Sequence, residues 1–281
     1  MPRFFLFFLG ITISLLFCGG TASLQADEGF KVENELTVDK NGTKVKSTTL
    51  FSDGIVYDFI DDKGQGEITI LDPGGDRFIL LDPVYRLQTR LPANEMRRNI
   101  EQRRAQLIGH EKPLLAFVAQ PTFEVSIDET TGRMRFQSSW ADYEIATQTV
   151  TNKEMAAVYD DYCLWCCYLN FHINPEIPLS LLRLDVNREV KRQNRLPGRV
   201  TATFYPRGKG PLAKSEKFET THRYIQRLSE FDLKQINVAL DMTGRFRNVP
   251  FKEYQAEVAK KHLPAKQSSS SARAADFKAA P

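Results

Sequence analysis

Three cysteines stand close together in mid-chain: Cys163, Cys166 and Cys167. At spacings i, i+3 and i+4 they share one face of a helix. Thiols placed in this way can fill a core as small apolar side chains. Cys163 and Cys166 can instead close a disulfide in an oxidising compartment, or act as the dithiol of an oxidoreductase. All three thiolates together could hold a soft metal. A redox pair normally sits at a helix N-terminus, where the dipole lowers the thiol pKa, and these cysteines fall about three turns into their helix. His172 lies on the opposite side of that helix from Cys163 and makes a poor fourth ligand. No metal and no cofactor is assigned. The oxidoreductase alternative requires an exposed thiol of low pKa, and three cysteines in a mature chain leave at least one unpaired.

The other groups with chemical potential are dispersed. Asp58, Asp61, Asp62, Asp72, Asp76 and Asp82 gather around turns, where calcium could take oxygen ligands, although Asp and Gly are also what turns require. The four histidines, His110, His172, His222 and His262, show no ligand spacing. A nucleophile elbow, a zinc-protease helix, a Walker loop and a dinucleotide fingerprint are all absent. A hydrolase built on two distant carboxylates stays open on sequence grounds. Basic and acidic residues nearly balance, with a net charge of +3, which is not the footprint of a nucleic-acid binder.

The elements that position these groups follow from periodicity. In the stretch 55–91, Tyr57 and Phe59 fall on one strand face with Ile55, and Val56 and Asp58 fall on the other with Ile60. The polar run 61–66 and the Asp-Pro-Gly-Gly-Asp run 72–76 read as turns between strands at 55–60, 67–71 and 77–81, with a further strand at 84–91. Ile-Leu-Asp-Pro at 70–73 and Leu-Leu-Asp-Pro at 80–83 read as two hairpin arms ended by the same turn chemistry. Before them, strands at 29–38 and 42–51 flank Asn41-Gly42, a strong hairpin signal, with Val32, Leu36 and Val38 spaced for an inward face. A helix is expected over 92–110, with Met96, Ile100 and Leu107 as its apolar stripe among arginines. Strands follow at 122–128, 133–139 and 141–150. The cysteine helix, capped at 151–152, comes next, then a break at 175–178 and a helix over 179–195. Strands at 200–205 and 218–228, a helix at 231–242 and a short helix after Pro250 complete the series.

The ends of the chain carry other information. Arg3 followed by the apolar run 4–17 and small residues at 19–23 is the layout of a secretory signal peptide, with cleavage after Ala22 or Ala26. The run is short for a membrane span, which needs ~20 residues. Cys18 would be a lipidation site, but large Phe17 precedes it where a small residue is wanted. The mature protein is therefore expected outside the cytoplasm, periplasmic or extracellular. Residues 264–281 are mostly Ala, Ser, Lys and Arg with one Phe, a composition that cannot bury a core, and read as a disordered tail. Between them, residues 27–263 suit one β-rich domain with a helical insertion near 152–195.

Strands grouped before and after helices indicate an α+β fold, a large curved antiparallel sheet with helices on its concave face. The strand succession from 29 to 91, resumed at 122–150, together with the phrase GEITILDPGGDRFILLDP, resembles the LolA/LolB-like lipoprotein-carrier superfamily. The resemblance covers about half the chain. It implies an unclosed barrel with helices in its concave side and a role in shuttling lipoprotein acyl chains between membranes. The helical pair around Cys163 and Leu182 is extra to that family, and no functional residue is transferred. The whole chain also resembles an uncharacterised family of secreted bacterial proteins. The expected function is a non-enzymatic binding protein whose concave face, lined by Tyr57, Phe59, Ile68, Ile70, Phe123 and Phe136, holds a hydrophobic ligand or the acyl group of a lipidated protein. The same side chains would serve equally as a dry core. The alternatives are an envelope structural or interaction protein without a small ligand and, less favoured, the Cys163/Cys166 oxidoreductase.

Overall fold

The computed structural model describes residues 29–38, 43–61, 66–175, 179–210 and 214–260. The leader with Cys18, the Asn41-Gly42 turn, most of the 61–66 turn, the break at 176–178, His262 and the tail lie outside them.

The described residues form twelve strands and six helices. A first meander comprises β1 (Phe30–Val38), β2 (Thr43–Ser52), β3 (Ile55–Ile60), β4 (Ile68–Asp72), β5 (Arg77–Asp82) and β6 (Leu87–Pro92). Helices α1 (Ala93–Gln106) and α2 (Pro113–Ala119) lead to a second group, β7 (Glu124–Asp128), β8 (Arg133–Gln137) and β9 (Ala141–Thr149). Then come α3 (Lys153–Ile173), α4 (Leu179–Arg192), β10 (Arg195–Phe204), β11 (Glu216–Ile225), α5 (Glu230–Arg245), β12 (Arg247–Asn248) and α6 (Phe251–Ala259). The strands make one open sheet in the order β12-β6-β5-β4-β3-β2-β1-β11-β10-β9-β8-β7. Every pairing is antiparallel except the short β12–β6 contact. The fold is α+β, as the element order predicted.

Local chemistry explains the hairpins. β2 and β3 are joined by Asp53-Gly54, both at positive φ (51° and 73°), the backbone that a two-residue turn between right-twisted strands demands. Asp72 accepts the Gly75 N–H at 2.7 Å, and Asp82 accepts that of Tyr85 at 2.7 Å. The two Leu-Asp-Pro arms therefore end on one and the same side-chain-to-backbone closure. Asn152 caps α3 by accepting the Met155 N–H at 3.0 Å, which satisfies a helix-end donor.

Helices cover both faces. On the concave side, α1, α2, α3, α4 and α6 pack against the alternate strand residues Val32, Phe51, Val56, Phe78, Leu80 and Leu91. On the opposite side, α5 alone buries Leu50, Tyr57, Ile68, Ile70, Ile79 and Leu81 beneath Ile236 and Ala239. Among the described helices, α5 is the one that packs on this opposite face. β5, buried on both faces, reads as a continuous apolar run for that reason. Ser229 and Asp232 form a reciprocal capping box at the start of α5, and the Lys31 ammonium donates to both Asp232 oxygens at 3.0 Å.

Some boundaries shift. The strand expected at 84–91 begins at Leu87, because Arg86 at φ 53° still belongs to the turn. The helix expected to 195 stops at Arg192; Asn194 at φ 51° turns the chain, and Leu196-Pro197-Gly198 enters β10 through a bulge between Pro197 and Arg199. Arg104, expected on the solvent side of its helix, is buried and caps α2 by donating to the Val118 and Ala119 carbonyls. β9 and β10 are sheet neighbours, so α3 and α4 form an insertion hung from one strand-to-strand connection.

Candidate functional site

Under α3 and α4 the concave face leaves a cavity of about 460 Å³. Its floor is set by strand register. Asn34 of β1 pairs with His222 of β11 and with Ser47 of β2, and Thr49 of β2 pairs with Asp58 of β3. These side chains point to the same face because they are in phase with Val32 and Val56. Two residues further along the strands the floor turns apolar: Leu36, Phe218, Val200 and Ala202 border the same space.

The polar end is a linked row. The Asn34 amide donates to Ser47 Oγ at 3.3 Å and to Thr49 Oγ1 at 3.1 Å. The Thr49 hydroxyl donates to Asp58 Oδ1 at 2.7 Å. In the other direction, Asn34 Oδ1 lies 2.8 Å from His222 Nδ1, which is also 3.2 Å from the Tyr159 hydroxyl. An amide oxygen can only accept, so the imidazole proton sits on Nδ1 and Nε2 carries the lone pair. That Nε2 is sealed from solvent and has no partner among the described residues.

Electrostatics follow from enclosure. Burial, helped by the nearby Arg183 charge, lowers the His222 pKa to about 3 and keeps the ring neutral. Burial raises the Asp58 carboxyl above its usual range, against hydrogen bonds from Thr49 and Ser47 that pull it down. The roof carries the three cysteines, all free and all bordering the cavity. Burial pushes the thiols of Cys163 and Cys167 up to about 12 and raises that of Cys166 as well. A protonated thiol is a weak nucleophile, so this geometry lends the oxidoreductase alternative no support. Cys163 and Cys166 are half-buried and Cys167 is buried. Among the described residues no group of three His, Cys, Asp or Glu side chains is placed to hold a metal ion.

The remaining wall comes from α4. The Arg183 Nε–H donates to Asn187 Oδ1 at 2.7 Å, and its guanidinium carbon stands 5.8 Å from the Tyr143 ring centroid. Asn187 in turn reaches the Cys163 carbonyl at 3.5 Å and Cys167 Sγ at 3.6 Å.

None of the six apolar residues expected to bind a ligand borders this cavity. Tyr57, Phe59, Ile68 and Ile70 belong to the α5 face; Phe59 and Ile68 border a separate groove beside α5. Phe123 and Phe136 are on the concave side but pack edge-on at 6.0 Å, with Phe123 equally close to Tyr143, in the core near the β7 edge. The physical reason is that alternation sorts residues into two faces without saying which face curves inward. The cysteines that the sequence singled out do border the cavity. Asn34, in phase with Val32 and Leu36, is a missed signal that could have pointed there: a polar residue on an inward strand face. Arg183 and His222 carried no such mark.

No protein-family model matches the chain, and no curated protein matches it. No helix among the described residues is long and apolar enough to cross a membrane.

Proposed function

We propose that this protein is an exported, non-catalytic carrier that binds an acyl-chain ligand in the cavity between its sheet and the α3–α4 roof. The observation that carries the reading is the cavity itself: about 460 Å³, within the usual range of small-ligand sites, with a floor apolar at one end and polar at the other. An acyl chain along Leu36, Val200, Ala202 and Phe218 would gain about 0.8 kcal/mol for each methylene removed from water. Apart from His222 Nε2, the polar row is bonded within itself, so most of it can border a ligand without demanding hydrogen bonds from the chain. The resemblance to lipoprotein carriers agrees with this reading, with the binding face moved from Tyr57 and Phe59 to the cavity.

The test is native mass spectrometry of the protein purified from its own envelope fraction without detergent, before and after organic extraction. An extractable adduct of lipid mass is expected. A bare mass in both spectra would overturn the carrier and favour the second reading, an envelope interaction protein without a small ligand. That second reading draws on α5, whose Phe231 is 67% exposed beside exposed Leu233, Val238 and Leu240.

A further inference from the structure

Among the described residues, Arg183 is a cation without a counter-charge. On α4 the other two arginines are paired: Arg188 with Asp185 and Glu101, and Arg192 with Glu189. Buried Arg104 on α1 is paired too, with Asp185. Arg183 has no carboxylate within ion-pair distance among the described residues, although it is half-buried in a cavity wall. A guanidinium withdrawn from water without an anion is costly. Its one hydrogen bond among the described residues runs from Nε to Asn187, which leaves the terminal amino groups free of described partners and fixes the plane of the fork. Tyr143 supports that plane from one side. Among the described residues, Asp58 alone brings a carboxylate to the cavity border, and it is engaged by Thr49 rather than by Arg183. The positive field of Arg183 acts across the whole space, holding down His222 and opposing the rise of Cys163 and Cys167.

A single fixed cation beside an apolar channel defines a ligand class. We infer that the ligand is a long-chain carboxylate, a fatty acid, whose head accepts two hydrogen bonds from the terminal amino groups of Arg183 while its chain lies along Leu36, Val200, Ala202 and Phe218. This rests on the carrier reading above. Guanidinium and carboxylate match in plane and spacing, which gives the pair direction as well as strength. A neutral lipid of equal chain length would leave the cation unpaired.

The experiment compares tetradecanoate with 1-tetradecanol by isothermal titration, using the delipidated protein and its Arg183→Gln and Arg183→Lys variants. The acid should bind the unaltered protein about 10- to 100-fold more tightly than the alcohol, the range expected of a charged hydrogen-bonded head. Arg183→Gln should erase that preference by weakening the acid alone, and Arg183→Lys should restore part of it. Equal binding of acid and alcohol to the unaltered protein would overturn the head-group inference and leave the carrier standing. An undiminished preference in Arg183→Gln would overturn it too. Binding of neither compound would overturn the carrier itself. The acid-to-alcohol ratio in the unaltered protein decides the matter even if a variant fails to fold.

Discussion

Helix α3 roofs two stretches of the same sheet face, and they differ in kind. Over β2 and β5, Phe51 and Phe78 meet Tyr162 and Trp165 edge-on, at 5.5 and 6.2 Å between ring centroids. Phe30 stacks on Phe51 at 4.1 Å, and Phe78 is wholly buried. Over β1, β10 and β11, the residues facing the helices are Asn34, Thr220, Val200 and Ala202, and a cavity remains. Backbone, roof and curvature are shared, so side-chain volume and polarity make the difference. Large aromatic side chains fill the space under a helix. Small or laterally bonded ones leave it open: Asn34 and Thr49 reach sideways to neighbouring strands.

The sharpest way to break this contrast is truncation on the filled side. Phe78→Ala should cost about 3–5 kcal/mol in urea unfolding; a cost below about 1 kcal/mol would show that the filled half is no better packed than the open one.

Acid should act through the open half. Burial holds the folded His222 pKa at about 3, against the ordinary 6.5 of a solvated histidine, so the unfolded chain takes up a proton that the native ring refuses. The stability this confers is present above pH 6.5 and is lost as pH falls toward 3. The expected loss between pH 7 and pH 4 is about 3 kcal/mol. Unfolding of His222→Gln at both pH values checks it: the variant should lose less, and an unchanged loss would assign the acid sensitivity elsewhere.

Asp160, on α3, works in the opposite sense. Burial, against the pull of Lys191, raises its carboxyl to about 6. Its contribution is present below about pH 4 and is lost as pH rises through 6. Asp160→Asn should therefore stabilise the protein at pH 7 by about 1 kcal/mol, allowing for solvent screening of a half-exposed carboxylate. A destabilised variant at pH 7 would reverse the sign argued here.

The smallest effect is expected on the cavity floor. Thr220→Ala removes atoms that border open space and should change stability by no more than about 0.5 kcal/mol. A cost approaching that of Phe78→Ala would mean that the floor is packed after all.

Much of this was legible in the chain. The hairpins followed from turn residues such as Asp72-Pro73-Gly74-Gly75, the cysteine helix from its Asn152 cap, and the shared thiol face from spacing. The division of Tyr57 and Phe59 from Val56 and Asp58 was also correct, because alternation is a local property. What alternation left open is which of the two faces borders the cavity. That depends on where α5 crosses and on the pairing of β1 with β11, neither of which is encoded within any one strand. Arg183 was invisible because an arginine in Leu-Leu-Arg-Leu-Asp-Val reads as a solvated helix residue, and only the tertiary fold turns it toward the cavity. The two-residue β12 offers no periodicity at all, and the seven-residue α2 is too short for a helical stripe.

The seam between β1 and β11 also sets an order of events. Within the first meander, β1 to β6, and in β7 to β9, each strand pairs with its neighbour in sequence, a short search for the chain. The Asn34–His222 contact joins residues 188 apart. Closing so long a loop is entropically demanding, and pairings of this kind are slow to form. The cavity floor straddles that seam, so neither half of the sheet contains the whole floor by itself. The cavity therefore takes shape only with this long-range closure, and anything lodged in it would hold together the junction that took longest to make.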